Sequence, residues 1–450
     1  MAATILLIFV ASTVNDAFLS RNWISQSLGG TPGEDGFYQM AFNSKGELQL
    51  VYLGESNGHY ALMYGQKLGE NWNLTFVSRL FYEHEGASLA LDSRDNVFMC
   101  THAYHEVYGT NLRSHILYFA HSGENWTGSI INTTGHCSSA EVAVDDNDVV
   151  HLFYTESVFP GYYENFNPYT RLVDMVSTQQ GWNVNVLKNI SGDQYLQIDD
   201  LVRGPDGSIF ILYSRVTGYE SGPEVTLTHL NLSVISSGTV SDSEILVTNN
   251  QLGGEPSLCV DAAGNAYVAY YWRSGSTSNG TWHRICYSTN ALGNWTRTYA
   301  AYGGDAWPGG TAIAVDSQNN VHIAYFVEGL YGPQINHSVR YCTNRDGDWN
   351  VRIVDSCMGL AGEERVALLV DARGGIHMTY FQRNVGKHGE VDLAMYTTDK
   401  WEPHDYGDVL TESGWRAFLV GCVIGIALYS GWAYQERRAR PKPPTSGMAG

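Results

Sequence analysis

A ten-residue pattern, Asp-x-x-Gly/Asn-x-φ-x-φ-x-Tyr with φ apolar, recurs seven times in this chain of 450 residues. The copies begin at Asn43, Asp92, Asp145, Gly204, Asp261, Asp316 and Asp371, roughly 50 to 60 residues apart, a spacing that builds one supersecondary unit per copy. Apolar runs such as "SLALD" and "ALLVD" precede the turn and alternating residues follow it, which predicts strand, tight turn, strand. A third alternating run ("HILYFAHS", "RICYSTN", "DLAMYTT") and a Gly-rich turn lead to Trp72, Trp126, Trp182, Trp295, Trp349 or Trp401, and in five repeats a polar strand comes next. Four strands per repeat, repeated radially, predict an all-β, seven-bladed β-propeller.

Two irregularities refine this expectation. Blade four lacks the Trp, and blade seven lacks a fourth strand after Trp401. The segment "NWISQSL" at 22–28 resembles the other outer strands, so pairing it with "LAMYTT" closes the ring and leaves fewer exposed edges.

The two ends suggest an address. Residues 417–434 are apolar and carry no charge, within the ~17 to 25 residues that span a bilayer, and Trp415, Trp432 and Tyr434 stand where interfacial aromatics are expected. Arg437, Arg438, Arg440 and Lys442 follow, which assigns that side to the cytoplasm and the propeller to the outside. The start of the chain has a short apolar run and then small and polar residues, as in a secretory signal, but no basic leader. The expected organisation is a signal peptide at 1–17, the propeller at 22–402, a juxtamembrane linker at 403–416, one transmembrane helix at 417–434 and a basic tail at 435–450. Eight sequons, at Asn73, Asn125, Asn132, Asn189, Asn231, Asn279, Asn294 and Asn336, fit an exported glycoprotein.

A formal net charge of −20 excludes nucleic acid and an anionic membrane as partners of the propeller itself, since both require basic surface. Seven cysteines form no C-x-x-C pair. Cys100 at the end of an inner strand and Cys137 in the loop entering blade three form one disulfide candidate; inert buried thiols are the alternative. The repeat Asp lacks the ligand spacing of a calcium loop, and turn hydrogen bonding explains it. No metal or cofactor is expected. His151, His322 and His377, inside inner strands, fit channel-lining or buried structural roles.

Ligands of a propeller meet the loops that enter the first strand and leave the second strand of each blade. Counting two or three residues past the second strands places Glu55, Glu156, Arg215, Arg273, Glu328 and Arg383 on this rim, with His102, Tyr104 and His105 from blade two. Arg215, Arg273 and Arg383 are candidate anion ligands. Glu156, Glu328, His102, Tyr104 and His105 are candidate acids or bases. The longest insertion, 157–171, carries Tyr162, Tyr163 and Tyr169, and Trp272 and Trp307 project nearby; such rings stack on sugars or anchor a protein, or simply pack over blade three.

The turns "YSTNALGNW" (287–295) and "YCTNRDGDW" (341–349) resemble the Asp-box (BNR) hairpin of sialidase-like propellers. They depart from it at Asn290 and in the spacing before Trp, so the resemblance implies fold more than activity. Sialidases carry three arginines for a sugar carboxylate, which Arg215, Arg273 and Arg383 imitate, although sialidases have six blades. Seven-bladed polysaccharide lyases are similar in shape and imply a Tyr or His base. The function expected is a membrane-anchored extracellular propeller that binds a glycan or a protein partner. The alternatives are a tethered hydrolase or lyase acting on acidic sugars, and a structural module of a cell-envelope complex.

Overall fold

A computed structural model describes residues 19–31, 38–56, 59–79, 84–107, 111–122, 125–133, 135–158, 169–192, 194–217, 227–236, 238–249, 252–277, 280–304, 308–327, 336–358, 366–386 and 389–403. The expected signal segment, linker, span and tail lie outside them. Among the described residues no helix is long and apolar enough to cross a membrane.

Residues 23–399 form one compact unit. β1 (Leu19–Thr31) precedes the repeats. Blade 1 holds β2 (Tyr38–Phe42), β3 (Leu48–Ser56), β4 (His59–Leu68) and β5 (Asn71–Arg79); blade 2 holds β6 (His84–Leu91), β7 (Val97–Val107), β8 (Asn111–Ser122) and β9 (Asn125–Asn132). Blade 3 holds β10 (His136–Val144), β11 (Val150–Val158), β12 (Tyr169–Thr178) and β13 (Gly181–Ser191); blade 4 holds β14 (Gln194–Arg203), β15 (Ile209–Thr217), β16 (Leu227–Ser236) and β17 (Thr239–Asn249). Blade 5 holds β18 (Leu252–Val260), β19 (Ala266–Thr277), β20 (Gly280–Thr289) and β21 (Thr296–Gly304); blade 6 holds β22 (Pro308–Val315), β23 (Val321–Val327), β24 (Asn336–Thr343) and β25 (Asn350–Met358). Blade 7 holds β26 (Ala367–Val370), β27 (Ile376–Gly386) and β28 (Gly389–Pro403), and β1 completes it in the order β1-β28-β27-β26. Ser25 donates its hydroxyl to Thr397 Oγ1 at 3.0 Å, and Thr397 donates to the Ile24 carbonyl at 3.1 Å. The ring is therefore closed by the N-terminal strand, as the sequence predicts. The first strand of every blade lines one central cavity of about 570 Å³.

All seven first hairpins share one turn of five residues, framed by pairs such as Leu91↔Val97 and Val315↔Val321. In six copies the first residue accepts the N–H groups of the third and fifth: Asp92 from Arg94 and Asn96 at 2.9 and 2.8 Å, Asp316 from Gln318 and Asn320 at 2.9 Å each. In blade 4, where Gly204 stands first, Asp206 accepts from Ser208 instead. The fourth residue has left-handed backbone, with φ 62° at Asp95, 58° at Asp148 and 63° at Asn319, which is why this position carries Gly, Asp or Asn. His322 and His377 bridge the turn to the third strand: one ring nitrogen meets Asp316 or Asp371 at 3.3 or 3.2 Å, and the other meets Tyr341 or Tyr396. These histidines and aspartates are structural.

The repeated Trp packs blade on blade. Trp126 meets Tyr64 of blade 1 edge-on at 5.3 Å, Trp182 meets Tyr118 of blade 2 at 5.2 Å, and Trp72 meets Tyr396 of blade 7 at 5.1 Å. Trp23 of the closing strand repeats the contact on Tyr341 at 5.4 Å. Each such pair contributes about 0.5 to 1.5 kcal/mol beyond its buried area. Blade 4 has no Trp, and the corresponding residue of blade 3 is Asp174, which bonds His151 at 3.0 Å; Lys188 and Asp242 form an ion pair across this junction.

The expected Cys100–Cys137 bridge is absent. Both residues belong to one buried core shared by blades 2 and 3, and no disulfide joins them. The Cys137 thiol, at a bulge in β10, donates to the Ser139 carbonyl at 3.4 Å.

Candidate functional site

The second strands run further than the sequence count assumed. β11 continues to Val158, β15 to Thr217, β19 to Thr277 and β27 to Gly386, so Glu156, Arg215, Arg273 and Arg383 lie within strands and not in the loops beyond them. Their side chains obey the two-residue alternation of a sheet, which decides what each can touch.

In blade 3 this places Glu156 directly opposite Arg171 on β12 and Cys137 on β10. Glu156 is 2% exposed. Its Oε1 lies 3.6 Å from Arg171 Nη1, and its Oε2 accepts the Gly135 N–H at 3.2 Å. The Arg171 guanidinium carbon lies 4.3 Å from the centre of the Tyr169 ring, and Nη2 donates to the Tyr169 hydroxyl. A carboxylate buried this deeply is tolerable only when paired and hydrogen-bonded. Glu156 thus fixes a cation at the end of β12 that directly follows the 159–168 insertion. Burial pushes the phenol of neighbouring Tyr154 well above its usual range, so this hydroxyl is a donor at neutral pH. The opposite face of the same strands is polar and turns toward blade 4: Ser139 meets Thr155 at 2.9 Å, Ser157 meets Thr170 at 3.3 Å, and Thr170 donates to the Gln194 carbonyl of blade 4 at 3.2 Å.

His102 on β7, 3% exposed, stands opposite Ile116 on β8 and shares a sheet face with Cys100, and both Cys100 and Ile116 belong to the core of blades 2 and 3. Tyr154 and Val173 enter that core from blade 3, and Glu156 lies on the same sheet face two residues beyond Tyr154. Two of the acid–base candidates, His102 and Glu156, therefore sit on facing surfaces of adjacent blades.

The other candidates are placed differently. Arg215 is half-buried on blade 4, with Nη2 3.1 Å from His229 Nδ1, which in turn meets Glu244 at 2.9 Å. Arg273 is exposed on β19 opposite His283. Trp272 packs on the core of blades 4 and 5, and Arg297 lies over its ring at 4.2 Å. Tyr104, His105 and Arg383 belong to β7 and β27, but their side chains lie outside the described set, as do Glu328, Tyr162, Tyr163 and Trp307 entirely. Asn73, Asn125, Asn132, Asn189 and Asn294 are exposed, Asn231 donates to the His229 carbonyl at 3.0 Å, and the side chains of Asn279 and Asn336 lie outside the described set. Among the described residues no group of three His, Cys, Asp or Glu side chains is arranged to hold a metal ion.

Arg171 was not singled out from the sequence. Its signal is the cross-strand register with Glu156, which the length of the intervening insertion conceals.

No protein-family model matches the chain, and no curated protein matches it in sequence. Solved structures similar in fold include a polysaccharide lyase, ulvan lyase, with 11% identity over 83% of this chain and 94% of that one and a TM-score of 0.49. A protein of unknown function from Dyadobacter fermentans gives 11% identity over 84% and 99% of the two chains with a TM-score of 0.46. AofleA from Arthrobotrys oligospora gives 12% identity over 76% and 94% with a TM-score of 0.43. Likeness at this level carries no argument about activity; the propeller assignment stands on the sheet topology itself.

Proposed function

We propose that this protein is a membrane-anchored extracellular β-propeller that binds a glycan on its loop-bearing face, with Arg171 as the anion anchor and Tyr169 as the ring beneath it. The observation that carries this reading is the buried Glu156 that holds Arg171 against Tyr169 at the edge of the longest insertion. With Nη1 beside Glu156 and Nη2 donating to the Tyr169 hydroxyl, the guanidinium has further N–H donors for an incoming carboxylate or sulfate. The aromatic residues of the insertion, Tyr162 and Tyr163 among them, supply flat apolar faces for sugar rings. Arg273 and Arg383 are further cations on the same end of their blades.

The anchor is the apolar segment 417–434, with the basic tail in the cytoplasm. A signal at 1–17 and glycans on the exposed sequons belong to the same reading.

The test is binding of the full-length chain in detergent to a panel of acidic and neutral glycans, with Tyr169→Ala and Arg171→Lys as variants. Arg171→Lys keeps the charge beside Glu156 and removes the fork, so it spares the fold and weakens recognition of a bidentate anion by about tenfold. Equal binding by wild type and both variants, or no binding to any panel member, overturns the assignment.

A further inference from the structure

The flank of blade 5 carries a second arrangement of rings and cations. β21 is the outermost strand of this blade, and it exposes Tyr299 at 46% and Tyr302 at 50%. The large hydrophobic side chains exposed on the other outermost strands are aliphatic or Phe, such as Ile130, Val184 and Ile353, among the described residues. Tyr302 stands opposite Arg284 on β20, and Arg284 stands opposite Trp272 on β19, so the three share one sheet face. Tyr299 is on that face too, opposite Cys286. The face is the one that packs on blade 4, since Cys286 and Trp272 contribute to that core.

Both guanidinium groups are stacked. Arg284 lies over the Tyr299 ring at 4.9 Å, and Arg297 lies over Tyr299 at 5.5 Å and over Trp272 at 4.2 Å. Among the described residues Arg297 forms no ion pair, although the chain carries a formal net charge of −20. A strongly acidic protein thus keeps a cation on aromatic faces at its perimeter, with the edge of the guanidinium left for an incoming acceptor. Stacking at the same time fixes the side chain, which lowers the entropy lost on binding.

We propose that the perimeter of blade 5 binds an anionic polysaccharide, with Tyr299 and Tyr302 against successive sugar rings and Arg297 and Arg284 on their carboxylate or sulfate groups. A sugar ring has an apolar C–H face and a polar rim, which matches half-exposed tyrosines beside cations. A chain of such rings matches cations and rings placed along one strand. The site lies on a different blade from the Arg171 corner, so it stands or falls independently of the loop-face assignment.

The test is titration of the full-length chain in detergent with an oligogalacturonate, a sulfated oligosaccharide, a neutral cello-oligosaccharide and a poly-Glu peptide. The uronate and sulfate arms distinguish the two anion sources, and binding of either one, with the neutral sugar and the peptide much weaker, is the expected result. Arg297→Ala and the exposed-site double variant Tyr299→Ala/Tyr302→Ala each weaken it by about tenfold, with Arg297→Lys intermediate. Failure of both acidic sugars to bind, equal binding by the Tyr299→Ala/Tyr302→Ala variant, or equally tight binding of poly-Glu overturns the proposal.

Discussion

Ser44 donates both its backbone N–H and its hydroxyl to the carboxylate of Asp95, at 2.7 and 2.6 Å, across the junction between the first turns of blades 1 and 2. Ser93 repeats the contact with Asp148 of blade 3 at 2.8 and 2.7 Å. The second residue of one turn therefore latches onto the fourth residue of the next. At the following junction the second residue is Asp146, and the fourth is Gly207, over which the Asp146 carboxylate lies. Arg203 neutralises that carboxylate.

These latches predict a pH dependence. Hydrogen bonds from Ser44 hold the Asp95 carboxyl below its usual range, and those from Ser93 do the same for Asp148. At Asp316 burial acts upward, but bonds from Asn320, Gln318 and His322 outweigh it and leave the carboxyl well below normal. A depressed folded pKa contributes stability that is present above the unfolded value of about 3.9 and is lost as pH falls through the folded value. The thermal midpoint is expected to be flat from neutral pH down to about 5 and to fall steeply below about 4. A midpoint that rises on acidification contradicts the assignment.

Gly207 is expected to be the least replaceable turn glycine. A Cβ there would lie 1.9 Å from Asp146 Oδ2, on backbone with φ +77°, whereas Gly264, with φ +83°, has open space. Gly207→Ala should lower stability by about 1 to 3 kcal/mol and be partly rescued by Asp146→Ser. Gly264→Asn should change little, since Asn319 occupies the same turn position with φ 63°. Calorimetry of the three variants checks both halves.

The closing strand should govern cooperativity. Deleting residues 1–28 removes Trp23 from Tyr341 and exposes the edge of β28. The expected outcome is a lower unfolding midpoint and concentration-dependent association, read by light scattering. An unchanged monomer shows that the ring does not need β1.

Cys100 and Cys137 should resist alkylation in the native state. Burial pushes the Cys137 thiol up to about 12 and that of Cys100 well above its usual range, so little thiolate exists at neutral pH. Mass spectrometry after iodoacetamide should find both unmodified until denaturant is added.

The architecture is legible because each turn is a local chemical device: an Asx side chain, a left-handed fourth residue and flanking alternation suffice to recognise it. The closing strand is legible for a similar reason, as Trp23 supplies the packing residue that blade 7 needs. The Glu156–Arg171 pair is not, since the partner of Glu156 depends on where the chain re-enters the sheet after 159–168. Nor is the commitment of Arg215 to His229, which follows from β15 running on to Thr217 and turning Arg215 onto the sheet face. The Ser44–Asp95 latch depends on the distance between two blades, and no local pattern encodes that distance.

The most direct test is a combined binding and turnover screen of acidic glycans on the full-length protein, with Arg171→Lys run in parallel. The account predicts saturable binding without product formation, weakened in the variant. Product formation that survives Arg171→Lys, or an absence of binding to every acidic glycan, contradicts it.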